Sequence, residues 1–159
     1  MKKLFFLIIL IPLFSSCQKL NTTDGLAHAV YNSLKNNDFA AYQSLYLTSQ
    51  EVETLTSNGV LKVPDSLRQS AIDYYKPEAV LDHQTSRFRE LRNSDKIAWS
   101  QSTFESSDFT SVKDQGIDVY KITIYFLING KVESSNPIKA LKISEGPYSS
   151  VKDKFVLIR

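Results

Sequence analysis

The stretch that most limits what this chain can become is Ile117 to Ile128, followed at once by Asn129-Gly130. Its even-numbered positions, Tyr120, Ile122, Ile124, Phe126 and Ile128, are all large and apolar, whereas Lys121 and Thr123 interrupt the odd-numbered set. Side chains alternate across a strand, so this spacing predicts one long strand with a fully apolar face. Asn-Gly is the strongest short-range hairpin signal, because the favoured turn needs positive φ at both central residues. The strand must therefore fold back on the segment Lys131 to Ile143, in which Pro137 marks a bulge or an edge. A partly alternating run, Ile97 to Glu105, precedes it across a polar connection, Ser106 to Gly116, and a last strand follows from Lys154 to Ile158 after a turn at Glu145-Gly146-Pro147.

Upstream the period is helical. Leu26, Val30 and Leu34 recur every four residues after a cap at Thr23 or Asp24, and Asn36-Asn37 ends that helix. Asp38 can cap a second helix carrying Phe39, Tyr42, Leu45 and Tyr46. Thr48 and Glu51 have capping-box spacing before Val52 and Leu55, and Asn58-Gly59 is a left-handed stop. Pro64-Asp65 opens a helix through Leu67, Ala71, Ile72 and Tyr75. Pro77 then either kinks it or starts a new helix, with Leu81, Gln84, Phe88 and Leu91 on one face and a turn at Asn93-Ser94-Asp95. Helices first and strands afterwards predict an α+β domain with helices packed on one face of a four-stranded antiparallel meander.

The N-terminus has a different pattern. Lys2 and Lys3 precede the apolar run Leu4 to Phe14, and Ser15-Ser16 lead to Cys17, the single cysteine of the chain. A basic start, a short apolar core and small residues before a cut define a secretory signal. The run is shorter than the roughly 20 apolar residues that span a bilayer. Phe14-Ser15-Ser16-Cys17 resembles a bacterial lipobox, with Phe14 where that family prefers an aliphatic residue. The resemblance implies cleavage before Cys17 and acylation of Cys17, which would hold the protein on a membrane. Weighed against it are a plain signal peptide without lipid and a buried N-terminal helix with an incidental thiol; the run has no polar face to suit the latter. The expected organisation is a signal peptide at residues 1–16, a lipidated cysteine and tether at 17–24, and one domain at 25–159. Gln18 is not aspartate and no acid follows to Asn21. By the sorting habits of such lipoproteins this favours the outer membrane and its periplasmic face over the cell surface.

The order of elements resembles the nuclear-transport-factor-two-like (cystatin-like cone) superfamily. The residues that carry this are Val30 to Tyr42, a helix, a small polar turn, an aspartate-aromatic step and a second helix, together with the closing layout of long strand, Asn-Gly hairpin, strand and a basic-aromatic end at Lys152 to Arg159. Phe155 stands where that superfamily often has tryptophan. The resemblance implies that the sheet curves into a cone-like shell around the helices. It also implies that an apolar mouth holds any ligand.

The chain has 19 basic and 17 acidic residues, and without Lys2 and Lys3 the two counts are equal. Such a neutral domain gives no reason to expect a nucleic-acid partner. Two distant histidines, His28 and His83, and no paired cysteines offer no metal-site spacing, and no cofactor motif is present. Enzymes of the resembled superfamily use an aspartate base with tyrosine or histidine partners, and Asp73, Asp118, His83 and Tyr42 are the residue types available for that role. No spacing selects among them. The expected pocket residues are Tyr42, Tyr46, Trp99, Tyr120, Ile122 and Phe126, from an aromatic set that also holds Tyr74 and Tyr75 and serves equally as core. Arg87, Arg89 and Arg92 read as a solvated helix face. Three functional expectations follow: a non-catalytic module binding a small ligand or an envelope protein, an isomerase- or hydrolase-like enzyme, or a structural subunit of an envelope complex.

Overall fold

A computed structural model of the chain describes residues 20–59, 61, 63–93, 97–114, 117–143 and 154–158. The signal segment, Cys17 and the turns expected at residues 94–95 and 145–147 lie outside the described residues. Five helices come first: α1 (Thr23–Asn36), α2 (Phe39–Gln43), α3 (Ser49–Ser57), α4 (Asp65–Tyr74) and α5 (Pro77–Asn93). A 3-10 turn, Trp99–Gln101, leads into the strands β1 (Thr103–Asp114), β2 (Ile117–Ile128), β3 (Lys131–Ser134), β4 (Ile138–Ile143) and β5 (Lys154–Leu157).

Local chemistry accounts for the helix ends. The Thr22 hydroxyl accepts from the Gly25 amide at 2.9 Å, so the cap lies one residue earlier than the sequence suggested. Asn37 is left-handed (φ 55°), and the Asp38 amide reaches back to the Ser33 carbonyl at 2.8 Å, a close of the kind asparagine and glycine permit. Asp38 then caps α2 through the Ala41 amide. Thr48 and Glu51 form both halves of a capping box on α3. Pro77 does not kink a helix but stands at the first position of α5, where its missing N–H costs nothing. The buried face of α5 is Val80, Gln84, Phe88 and Leu91; Leu81, expected there, is exposed.

The strands form an antiparallel meander in the order β1-β2-β4-β5, with β3 beside the end of β2. β3 and β4 are one return strand broken at residues 135–137. At the break, Ser135 keeps the ladder closed: its amide donates to the Ile124 carbonyl at 2.9 Å and its hydroxyl accepts from the Ile124 amide at 3.2 Å. Asn129 and Gly130 both have positive φ, as the tight turn requires. The segment expected to be a polar connection, Ser106 to Gly116, is instead the body of β1 as far as Asp114, paired with β2 down to Asp114↔Ile117. It is an edge strand exposed on both faces, so nothing selects for alternation, and a bulge at Glu105 shifts its register.

The sheet does not curl into a cone. Its order is open, with β1 and β5 at opposite ends and unpaired with each other. The physical reason is that β4 and β5 carry apolar side chains on both faces. Ile138, Ala140, Phe155 and Leu157 join Ile122, Ile124 and Phe126 under α1, in the main core with Val30, Leu34, Tyr42 and Phe88. Leu141, Ile143 and Val156 point the other way and pack with Leu47, Val52 and Leu55 of the α3 region. Helical residues therefore cover both faces at this end instead of filling one concave side, which also corrects the expected one-face packing. The outer edge of β5 is closed by earlier chain: Leu157 accepts from the Leu47 amide and donates to the Leu45 carbonyl, and Tyr46 bridges it in parallel. Such cover removes an exposed edge that would otherwise invite pairing.

Candidate functional site

Where α2, α5, the start of β4 and the end of β5 meet, they leave a cleft of about 290 Å³. Tyr42 and Tyr46 form its inner wall. They lie four apart, so both reach the same side of the chain, and their hydroxyls are 3.0 Å apart in a buried hydrogen bond. Tyr42 is held by Phe88 against its ring at 5.1 Å and is fully buried, and Tyr46 is 6 % exposed. The α5 side supplies His83, Arg87 and Glu90, spaced as one helical stripe, with His83 edge-on to Tyr46 at 6.5 Å. Pro137, Ile138, Leu157 and Ile158 form an apolar floor, and Lys139 completes the lining.

The electrostatics are set by who is already bonded. Arg87 donates to Glu90 at 2.5 Å and to the Pro137 carbonyl at 2.6 Å, which ties α5 to the start of β4. The same Glu90 oxygen also accepts from Asn136 at 3.3 Å. The Arg87 hydrogen bond holds the Glu90 carboxyl below the usual glutamate range. Burial, with the neighbouring Tyr46 adding to it, pushes the Tyr42 phenol far above its ordinary value. Burial likewise raises Tyr46, against the opposing pull of the Tyr42 hydroxyl and Arg87. Both phenols therefore keep their protons across the biological pH range. One hydroxyl donates to the other, and the second proton is available to an acceptor in the cleft.

Of the six residues expected to line a pocket, the fold brings Tyr42 and Tyr46 together here. Trp99, Ile122 and Phe126 are in the filled core. Trp99 packs at a tilt against Phe126 at 4.9 Å and donates its indole N–H to the Arg92 carbonyl at 3.1 Å. Tyr120 sits further along β2, against Phe109 at 5.8 Å and Phe155 at 5.1 Å. Among the candidate bases, Asp118 is exposed at the start of β2, and Asp73 is bound at the surface to Lys76 and Gln69, both at 2.9 Å. Only His83 and Tyr42 of that set reach the cleft. Sequence reasoning missed Arg87 and Glu90 as site residues. The available signal was the stripe His83, Arg87, Glu90 beside the buried face of α5, on which Arg87 is too enclosed, at 24 % exposed, to be a solvated charge.

Among the described residues no group of histidine, cysteine and carboxylate side chains is arranged to hold a metal ion. No described helix is long and apolar enough to cross a membrane. What fold and site define together is an α+β domain with an open meander sheet and a tyrosine-lined cleft at one end. No protein-family model matches the chain, and no curated protein or solved structure is significantly similar to it.

Proposed function

We propose that this is a lipid-anchored protein of the bacterial cell envelope whose domain binds what enters the cleft without transforming it. The observation that carries the binding reading is the state of the cleft's titratable groups. Its only carboxylate, Glu90, is committed to Arg87 and Asn136, and its two phenols stay protonated. A carboxylate base has to be free at the working pH, and Glu90 is not. These residues instead make a fixed set of hydrogen-bond donors over an apolar floor, which is the make-up of a binding pocket.

The anchoring reading rests on Lys2-Lys3, the apolar run Leu4 to Phe14 and Cys17. One acyl chain binds a membrane only marginally, at about 0.8 kcal/mol per buried CH₂, so the triple acylation implied by the lipobox is what gives lasting attachment. Gln18 in place of aspartate supports the periplasmic face of the outer membrane. Growth with radiolabelled palmitate tests this: the label is expected on the wild-type chain and absent from Cys17→Ser, which should leave the membrane fraction. Undiminished labelling and membrane association of the variant overturn the anchor. Native mass spectrometry of the protein extracted from envelopes tests the binding reading. Excess mass that dissociates as a small molecule is expected from wild type and reduced in Tyr46→Phe, and the bare lipidated mass in both counts against it.

The exposed Val112 and Val132, which pair with Val119 and Leu127 towards opposite ends of β2, support a second reading, a subunit of an envelope complex. Cross-linking in intact envelopes from Val132→Cys separates the two: a discrete partner adduct supports it, and none removes it.

A further inference from the structure

We propose that the ligand of the cleft is a small monocarboxylate with a compact apolar body; this rests on the binding reading given above. The inference comes from counting donors and acceptors. Six groups in the lining carry side-chain hydrogen-bonding capacity: Tyr42, Tyr46, His83, Arg87, Glu90 and Lys139. The carboxylate among them, Glu90, has its Oε1 occupied twice over, by Arg87 and Asn136. Arg87 has five N–H donors, of which two are used, on Glu90 and on the Pro137 carbonyl. The tyrosine pair has a second hydroxyl proton to give. Donors outnumber acceptors in this wall, and an entering molecule that brings acceptors satisfies them.

Charge decides which acceptor. The guanidinium offers a planar fork that matches a carboxylate. Arg87 and Lys139 against Glu90 leave the lining one positive charge in excess, which a singly charged carboxylate balances and a dianion such as a phosphate monoester overshoots. Size and polarity decide the rest. A cleft of about 290 Å³ with Pro137, Ile138, Leu157 and Ile158 as its floor suits a short apolar body. The carboxylate would sit between Arg87 and the tyrosine hydroxyls, with the apolar part over Ile138 and Leu157.

The test compares two probes of equal shape, 3-phenylpropionate and 3-phenylpropanol, titrated calorimetrically into the full lipidated chain held in lipid nanodiscs, with empty nanodiscs as the blank. The acid is expected to bind at least about 10-fold more tightly than the alcohol, the worth of one charge-assisted pair. Tyr46→Phe, which keeps the ring and its packing, should lose several-fold for the acid and little for the alcohol. Arg87→Gln should abolish the preference; because Arg87 also ties α5 to β4, its melting curve is recorded alongside, and Tyr46→Phe carries the test if that variant is unfolded. Equal affinity for acid and alcohol overturns the carboxylate inference and leaves a binding pocket standing. A preference that survives unchanged in Tyr46→Phe and in a folded Arg87→Gln overturns it as well. Failure of both probes to bind overturns the pocket reading itself.

Discussion

Lys154, on the last strand, closes an ion pair on Glu51, at the start of α3, across 103 residues of sequence. The same carboxylate accepts from the Thr48 amide and hydroxyl, both at 2.9 Å, so one side chain both caps a helix and fastens it to the sheet. Burial pushes the Glu51 carboxyl up, but Lys154 and the two Thr48 donors outweigh it and hold it below the ordinary range. A carboxyl depressed in the folded state adds stability above its unfolded value, about 4.3, and that stability is lost as pH falls through the folded value. Wild type should therefore lose melting temperature more steeply below about pH 4.5 than Glu51→Gln does. Thermal melts between pH 3 and pH 7 check this, and parallel curves would remove Glu51 as a contributor. At neutral pH the Glu51→Gln change should cost about 1 kcal/mol, the usual worth of a cap.

Asn37 holds the left-handed close of α1, and no Cβ-branched residue sits well there. Asn37→Gly should be neutral or slightly stabilising, and Asn37→Val should cost about 1–2 kcal/mol. Urea unfolding of the two variants decides it; equal midpoints would mean the turn relaxes.

On the β1 edge, the Phe109 amide donates to the Asp108 carboxylate at 2.7 Å rather than to β2. That carboxylate occupies an outward-facing N–H and adds charge to a strand with an open side. Asp108→Thr should leave the monomer folded and raise concentration-dependent self-association, read by sedimentation velocity. A variant that stays monomeric at millimolar concentration would show that the bulge at Glu105 alone protects the edge.

Phe126 and Val132 lie near each other on the β2–β3 hairpin but in opposite environments, fully buried and 59 % exposed. Phe126→Ala should cost about 3–5 kcal/mol, whereas Val132→Ala should stay within about 0.5 kcal/mol of wild type. Denaturant titration of both checks the assignment of core and surface.

What could be read in advance was what local chemistry dictates. The capping box at Thr48, the stop at Asn37, the cap at Asp38 and the turn at Asn129-Gly130 each depend on a few neighbouring residues, and each lies where its residues put it. The even-numbered face of β2 was equally legible, because Ile122, Ile124 and Phe126 have one buried side to satisfy. Long-range choices were not. Beyond Phe104, β1 is polar because most of its side chains meet water, so its strand character there comes from pairing with β2, which no periodicity reveals. The expected cone failed because Leu141, Ile143 and Val156 found their own helical cover, a partnership set by α3 far upstream. The cleft was half legible: Tyr42 and Tyr46 are conspicuous, but Arg87 and Glu90 look like surface charges until β4 arrives with Pro137 to bind one of them. Trp99 and Phe126 looked like pocket walls because composition does not distinguish a ring that lines a space from one that fills it.

β5 lies between β4 and the Leu45–Leu47 segment, and it donates from Phe155 to the carbonyl of Leu20. Its two neighbours are far apart in the chain, and neither can finish its hydrogen bonding until residues 154–157 are made. A chain emerging from the ribosome would hold its first helices without the strand that completes them. Folding has to wait until β5 has been made, because the contacts that close the core run from α1 to that strand. A fold whose latest-made strand in the meander is also its fastening has delay built into its topology.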